Sequence, residues 1–346
     1  MAQGATSRLG LYSVLQVSEE ATYGTYETDG SSFPFRSENM KLMREKKVIE
    51  SINSTRERQQ VFQANETVEG SIEADFNPAE TGIAYLIKQC FGGTVSSAIV
   101  STGNYLHTFM PGNMDNNDST VGSADAKALS IYVQRGETST GGWGFSGCRV
   151  NQMTVKGEIG QPVNISFELI GQTASLTAHV VTPGYSTILP LIFNGVTLQE
   201  GASVGSFPVT ADIFQNFEVV FQNNLQSDEK ARQLGSRQLS VLPPGMRAVS
   251  VKLGQRFDTT TAFTKFTANT FSALRILMDS GVTVGSAQGN TTYSAYIDLF
   301  RVYWEDCMPE ASDAGILSQE QKGIAISDSA AGVSIRMVLS NATTGY

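Results

Sequence analysis

The clearest alternation of apolar and polar positions in the chain lies between Glu66 and Phe76. Val68, Gly70, Ile72, Ala74 and Phe76 fall on one side; Thr67, Glu69, Ser71, Glu73 and Asp75 fall on the other. A period of two predicts a strand with one buried and one wet face. Asn77 then occupies a helix N-cap position, Pro78 the first helical position and Glu80 the capping-box position. Ile83, Leu86, Ile87, Cys90 and Phe91 follow at helical spacing, and Gly92-Gly93 stops the run. The pattern predicts an amphipathic helix laid on the apolar face of a sheet that starts at this strand.

Other segments read in the same way. Phe35–Ile52 is a long strand carrying the basic run Arg44–Lys47, and Asn53–Asn65, with Arg56, Glu57 and Arg58 inside, is a long polar hairpin arm. Strands are expected at Tyr105–Met110, at Leu129–Val133 and at Cys148–Ile159, the last with a phase slip between Val150 and Met153 that predicts a bulge. Gly160-Gln161-Pro162 turns the chain back into Val163–Leu169. Past a Thr/Ser/Gly-rich junction with a short strand at Ile188–Phe193, the order restarts. Gly205-Ser206-Phe207-Pro208-Val209 echoes Gly30-Ser31-Ser32-Phe33-Pro34-Phe35. Phe217–Phe221 is a strand, and Asn223–Gln238, with Asp228, Glu229 and Lys230, is a second charged arm. Val249–Phe257 repeats the opening strand, with Asp258 as N-cap of a shorter helix carrying Phe263 and Phe266. Strands near Phe271–Met278, Tyr293–Trp304, Gly323–Ile326 and Val333–Leu339 complete the set. One unit is therefore expected twice: residues 1–182, a junction over 183–204, and residues 205–346.

Composition narrows the function classes. Charged residues are 16% and glycines number 33 in 346 residues, which suits a turn-rich β protein. A net charge of −9 argues against a basic nucleic-acid groove. The first twenty residues lack the pattern of a signal peptide, and no apolar run reaches membrane-spanning length. Three scattered cysteines, Cys90, Cys148 and Cys307, fit reduced thiols and give no zinc motif. Two histidines, His107 and His179, sit in no nucleophile motif, so both are expected to be structural, and no catalytic or metal residue is assigned. The Gly112–Asp118 stretch is like a calcium loop without its closing Glu or flanking helices. Glu19-Glu20 and the Arg56–Arg58 cluster are expected as surface charge, and no cofactor is implied.

Against this background the residues resemble a family. Ser18-Glu19-Glu20-Ala21-Thr22-Tyr23-Gly24-Thr25 is similar to the Glu-x-Thr-(Tyr/Trp)-Gly-Thr opening of many tail tube proteins of long-tailed, non-contractile bacteriophages. Val68-Glu69-Gly70-Ser71-Ile72 with Pro78 and the helix to Gly92-Gly93 resembles their central segment. Gly147–Asn151 and Phe167–Gly171 resemble their later strands. The match covers residues 10–171; the second half follows by strand order.

The resemblance implies a mostly β fold of two tandem β-sandwich or barrel tube domains, each with one flanking helix and a long hairpin arm. It implies a structural virion protein that stacks as rings into the tail tube and forms the DNA channel. Three two-unit chains would close a pseudo-hexameric ring. Its partners would be further copies of itself, a tape measure protein and tail terminator or tip proteins, with phage DNA passing without specific binding and no membrane involved. Its site would be the virion tail, after assembly in the host cytoplasm. Glu69, Glu73 and Asp75 would then face the lumen, diluted by Lys252 and Arg256, and both charged arms would touch neighbouring subunits. The alternatives are the inner tube of a contractile tail or secretion machine, and a two-domain β-sandwich adhesin or carbohydrate-binding protein.

Overall fold

A computed structural model of the chain describes residues 10–50, 57–58, 60–92, 95–101, 103–112, 127–136, 141–179, 181–207, 214–258, 260–284, 292–310 and 316–346. The calcium-like stretch beyond Gly112, Arg56, Gly93 and the Pro208-Val209 echo lie outside the described residues. The first half runs through β1 (Val14–Glu19), β2 (Ser31–Ser32), β3 (Ser37–Glu38), β4 (Lys41–Ile49), β5 (Gln60–Asp75), α1 (Thr81–Phe91), β6 (Val95–Ser101), β7 (Asn104–Phe109), β8 (Leu129–Gln134), β9 (Gly142–Glu158), β10 (Asn164–Gly171) and β11 (Thr173–Thr177). The second adds β12 (Val196–Gly201), β13 (Phe214–Gln222), β14 (Ala248–Arg256), α2 (Thr261–Thr267), β15 (Ser272–Thr283), β16 (Thr292–Asp306), β17 (Pro309–Glu310), β18 (Ser318–Ile326) and β19 (Ile335–Asn341).

The chain is mostly β, and every strand pairing among the described residues is antiparallel. In the first half, β2, β1, β8, the start of β9 and β11 form one layer. The other layer contains β3 and β4 along β5, then β10 and the end of β9. Leu15, Val17, Ile131 and Phe145 from the first layer, and Val68, Ile72, Ala74 and Phe167 from the second, belong to one core and are almost wholly buried. The expected stripe of α1, Ile83, Leu86, Ile87, Cys90 and Phe91, is buried in that same core.

The second half repeats this pairing scheme. The contacts β4–β5, β5–β10, β10–β9, β9–β8, β8–β1 and β9–β11 recur as β13–β14, β14–β18, β18–β16/β17, β16–β15, β15–β12 and β16–β19. The register recurs as well. Glu38 faces Ile72 and Leu42 faces Val68, while Phe217 faces Leu253 and Phe221 faces Val249. Two seams join the halves: β9 pairs with β13, and β7 with β19.

Several local expectations change in detail. The bulge in β9 is present: Glu168 pairs with Gln152 but Leu169 with Val150, leaving Asn151 extra. Helix α1 begins later than Asn77 predicts. The Asn77 side chain accepts from Ala79 N–H in a turn of its own, and Glu80 takes the N-cap without capping the helix, because its carboxylate accepts from Ser186 N–H. Gly92 ends the helix at φ +61°, as a left-handed cap should. In the second half the N-cap is Thr260, not Asp258, and α2 buries none of its residues. Ile188–Phe193 is no strand. The junction is extended along the first half, with Leu191 N–H donating to Phe76 C=O and Ile192 in an isolated bridge to Pro162. Strand β6 carries no alternation the sequence could announce, since its interior residues are exposed.

Candidate functional site: a polar sheet face, its edges and its arms

With the β9–β13 seam in place, eight strand columns stand side by side: β3/β4, β5, β10, β9, β13, β14, β18 and β16/β17. At ~4.8 Å per column, seven steps span ~34 Å. Antiparallel partners share a face, so the register reads across the seam without a break. Asp75, Asn164, Lys156, Glu218, Lys252 and Lys322 form one row. Glu73, Ser166, Thr154, Val220, Ser250 and Ile324 form the next. The opposite face is the core.

The three sequence-predicted acids, Glu69, Glu73 and Asp75, are thus brought together on this face at its β5 end. Glu73 accepts from Ser37 Oγ (3.1 Å) and Asn164 Nδ2 (2.9 Å), and Asp75 pairs with Arg36 at 2.6 Å. Glu69 lies opposite Lys41. Toward the middle, Glu218 is held between Lys156 (3.0 Å) and Lys252 (3.6 Å). Exposed pairs of this kind contribute ~1 kcal/mol or less. Their consequence is electrostatic: acid gathers at one end of the face and lysine at the centre and far end, where Lys252 and Arg256 are exposed as expected.

The first arm is a projecting ribbon, β4 against β5. Val48 faces Val61 on one side, while Ile49 and Phe62 lie on the other, and all four are exposed. Of the charged cluster at its tip, Arg58 pairs with Glu50 at 3.0 Å. A two-stranded ribbon with apolar groups on both faces has no core of its own to bury them.

The second charged segment takes a different form. It carries no strand; it folds back on the first half. Asp228 caps a short turn over Glu229–Ala231 by accepting from Lys230 N–H. Arg232 donates to Glu66 C=O (3.1 Å) and to Thr67 Oγ1 (2.5 Å), and Arg237 donates to Gln63 (2.7 Å). At its start the fully buried Asn223 donates to Cys90 C=O and Val150 C=O, and Leu225 N–H donates to the bulged Asn151. The bulge therefore has a purpose that its phase slip alone does not reveal.

The remaining chemistry-bearing residues are held in contacts within the fold. Glu20, expected on the surface, is buried. Its carboxylate accepts from Gly24 N–H (2.7 Å), Gly147 N–H (2.7 Å) and Ser130 Oγ (2.9 Å), and burial raises its pKa despite those bonds. Gly24 and Gly147 sit at φ +77° and +66°, so the Glu-x-x-x-Gly spacing of the opening motif is a knot that ties β1 to β9. His107 is buried. Its Nε2 faces Asn341 Oδ1 and Thr343 C=O, its Nδ1 faces Ser97 Oγ, and burial lowers its pKa. His179 meets Gln16 and stacks edge-on to Tyr132. All three thiols are buried, and among the described residues no cluster of metal-ligating side chains occurs.

Comparison with known proteins adds the family. A family model described as phage tail tube protein matches residues 10–332. None of the curated proteins compared matches the chain. Among solved structures, the tail tube of phage SPP1, a hybrid of solid-state NMR and cryo-EM, is 16% identical over 45% of this chain and 80% of that one, with a TM-score of 0.30. The chain belongs to the phage tail tube protein family, a structural family and not one of enzymes.

Proposed function

We propose that this protein polymerises as stacked rings into a phage tail tube, with the eight-column polar face turned to a lumen through which DNA is delivered. The observation that supports this is the β9–β13 seam. It sets two copies of one four-column unit side by side in a single sheet, with a continuous wet face and outer edges that no strand of the described residues covers. Residues 1–182 and 205–346 act as two tandem tube domains joined by 183–204. Three chains then supply twenty-four columns, a circumference of ~115 Å and a backbone diameter of ~37 Å before strand tilt widens it. Glu69, Glu73 and Asp75 recur around that wall and repel phosphate. Lys156, Lys252 and Lys322 lie among carboxylates and offer no uninterrupted basic track that would hold DNA by counterion release.

The first arm, with Glu57 and Arg58 near its tip, reaches a neighbouring subunit or ring, where its two apolar faces are covered. Arg56 belongs to the same assigned contact. Asp228, Glu229 and Lys230 lie at the surface of the packed segment and meet the adjoining subunit. In the virion tail the tube would enclose a tape measure protein and end on terminator and tip proteins, having assembled in the host cytoplasm. Cryo-electron microscopy of the purified, concentrated protein tests the reading. Tubes with three chains per ring layer are expected; a protein that forms no ring or tube, alone or with tail components, would overturn it.

A further inference from the structure

The internal seam has a vacant counterpart at the ends of the sheet. Through their common partner strands, β16–β17 corresponds to the end of β9. Asp306 faces Lys322 as Gln152 faces Glu168, and Pro309 faces Gln319 as Val155 faces Ile165. On the other side β3–β4 corresponds to β13, since Glu38 stands to Ile72 as Phe217 stands to Leu253. Yet β9 and β13 are paired with each other, whereas among the described residues β3–β4 pairs with β5 alone and β17 with β18 alone.

We infer that the β16–β17 edge of one copy pairs with the β3–β4 edge of the next in the register of the internal seam, placing Pro309 opposite Met40, Cys307 opposite Leu42 and Met308 opposite Lys41. The inference rests on the ring reading above and specifies the contact that closes the ring. Transferring the β9–β13 register gives the pairs directly. Val155 faces Val219, Met153 faces Phe221 and Thr154 faces Val220. These become Pro309 with Met40, Cys307 with Leu42 and Met308 with Lys41.

The backbone chemistry at the two edges supports this register. In the internal seam, Ile159 N–H donates to Gln215 C=O and Asn223 N–H to Asn151 C=O. Counting in twos along β13, Val155 and Val219 are therefore a hydrogen-bonded pair, in which each backbone both donates and accepts. Their counterparts are Pro309 and Met40. Proline has no N–H, so a Met40 carbonyl facing it would lack a donor. That carbonyl is already satisfied: Arg135 Nη2 donates to it at 2.5 Å while the same guanidinium grips Glu38 through bonds of 2.7 and 2.8 Å. Asn39 N–H donates to Ser71 C=O, which confirms that Met40 is the residue whose backbone points outward. Met40 C=O thus needs no donor from Pro309, while Met40 N–H, held by Glu38 Oε2 at 3.1 Å, would leave that carboxylate for the Pro309 carbonyl, and the Cys307 carbonyl, already accepting from Gln319 Nε2, would take Leu42 N–H as a second donor. The buried sides match too, with Cys307 and Met40 in the core and Leu42 packed against it. On the wet side, Met43 and Met308 are 45% and 58% exposed, an apolar margin the seam would cover, and Asp306 lies diagonal to Lys41.

Cross-linking separates the possibilities. Lys41 and Met308 would form a non-hydrogen-bonded pair with Cα atoms ~4.5 Å apart, inside the range a disulfide spans. Within one chain they stand at opposite ends of the eight columns, too far apart to bond. In a Cys307→Ser background, Lys41→Cys with Met308→Cys should oxidise in assembled protein to covalent dimers and a closed trimer. Either single variant, and the pair Met43→Cys with Met308→Cys shifted by two residues, should remain largely monomeric on a denaturing gel. Mixing the two single variants should give only the heterotypic dimer. Tubes that form normally yet cross-link through the shifted pair, or through neither, would overturn the seam while leaving the tube reading intact. Absence of any assembly in the unmodified protein would overturn both. A covalent ladder that closes at six chains would keep the register and correct the stoichiometry.

Discussion

The seam between the halves can be broken at one ring. Phe217 is 7% exposed and packs on Gly157 so closely that a Cβ on Gly157 would come within 2.2 Å of Phe217 Cε1. Beside it is a cavity of about 90 Å³, lined among others by Ile159, Phe193, Leu198, Leu253 and Ile276. Truncating a buried Phe to Ala costs ~3–5 kcal/mol, the more so when neighbours cannot collapse into the space. Here the residue beneath has no side chain and a void already adjoins, so Phe217→Ala should cost ~4 kcal/mol. Val220→Ala, one strand-face over on the wet side, should change stability by less than ~0.5 kcal/mol. Urea titration of the dispersed subunit measures both. Hydrogen exchange should show protection falling first along 152–158 and 216–222, because those backbone bonds are the ones the ring shields. If Phe217→Ala costs under ~1 kcal/mol and leaves exchange at the seam unchanged, the ring does not hold the halves together and the reasoning fails.

Other perturbations are equally direct. Glu20→Ala strips the acceptor from a buried N–H, a half-buried N–H and a buried hydroxyl, at ~1–3 kcal/mol for each buried group left unsatisfied; a thermal or urea midpoint close to that of the unmodified protein would show that water replaces the carboxylate freely. His107 is buried and bonded on both ring nitrogens, so His107→Ala should be destabilising. Because the fold lowers its pKa, its contribution is present above the usual imidazole value of ~6.5 and is lost as pH falls through the lowered value. The stability gap between the unmodified protein and His107→Ala should therefore narrow on acidification, and a gap constant from pH 8 to 4 would exclude this. On the proposed lumen face, Glu69→Lys with Glu73→Lys should leave tubes intact but slow DNA ejection most strongly at low salt, where the phosphates are least screened; unchanged ejection kinetics from such virions would place those acids elsewhere.

What the sequence made legible was whatever depends on periodicity. The opening strand, the α1 stripe, the bulge in β9 and the repeated order of strands all follow from which side of the chain is apolar. Strand partnership was not legible. Met153, Val155 and Gly157 alternate like any half-buried strand, and nothing in them names Phe217, Val219 and Phe221 as their neighbours. Glu20 was misplaced for a related reason. A carboxylate beside Glu19 looks solvated until the fold brings Gly147 to it from 127 residues away. The cap positions do not follow from the motif because Asn77 closes only a separate turn at Ala79, before the helix begins, and Glu80 bonds Ser186 instead of the helix.

The places where the two halves differ are themselves informative. If one duplicated unit had only to fold, both copies of each feature would be under the same demands. Instead the divergence concentrates beside the seams. The segment between β13 and β14 is folded down onto the first half of its own chain, through Arg232, Arg237 and Asn223, whereas the ends of β4 and β5 expose apolar residues on both faces. The edge of β9 is covered by β13 and contains no proline between Gln152 and Glu158, whereas the matching edge carries Pro309. An uncovered strand edge invites indiscriminate pairing, and a proline there removes one donor from it. On the facing edge Arg135 occupies the Met40 carbonyl and Glu38 holds the Met40 N–H until the Pro309 carbonyl replaces its carboxylate. Both devices disfavour registers other than the one in which the proline meets the occupied carbonyl. A chain that must pair with copies of itself, once internally and once externally, gains from an external edge that admits only that alignment.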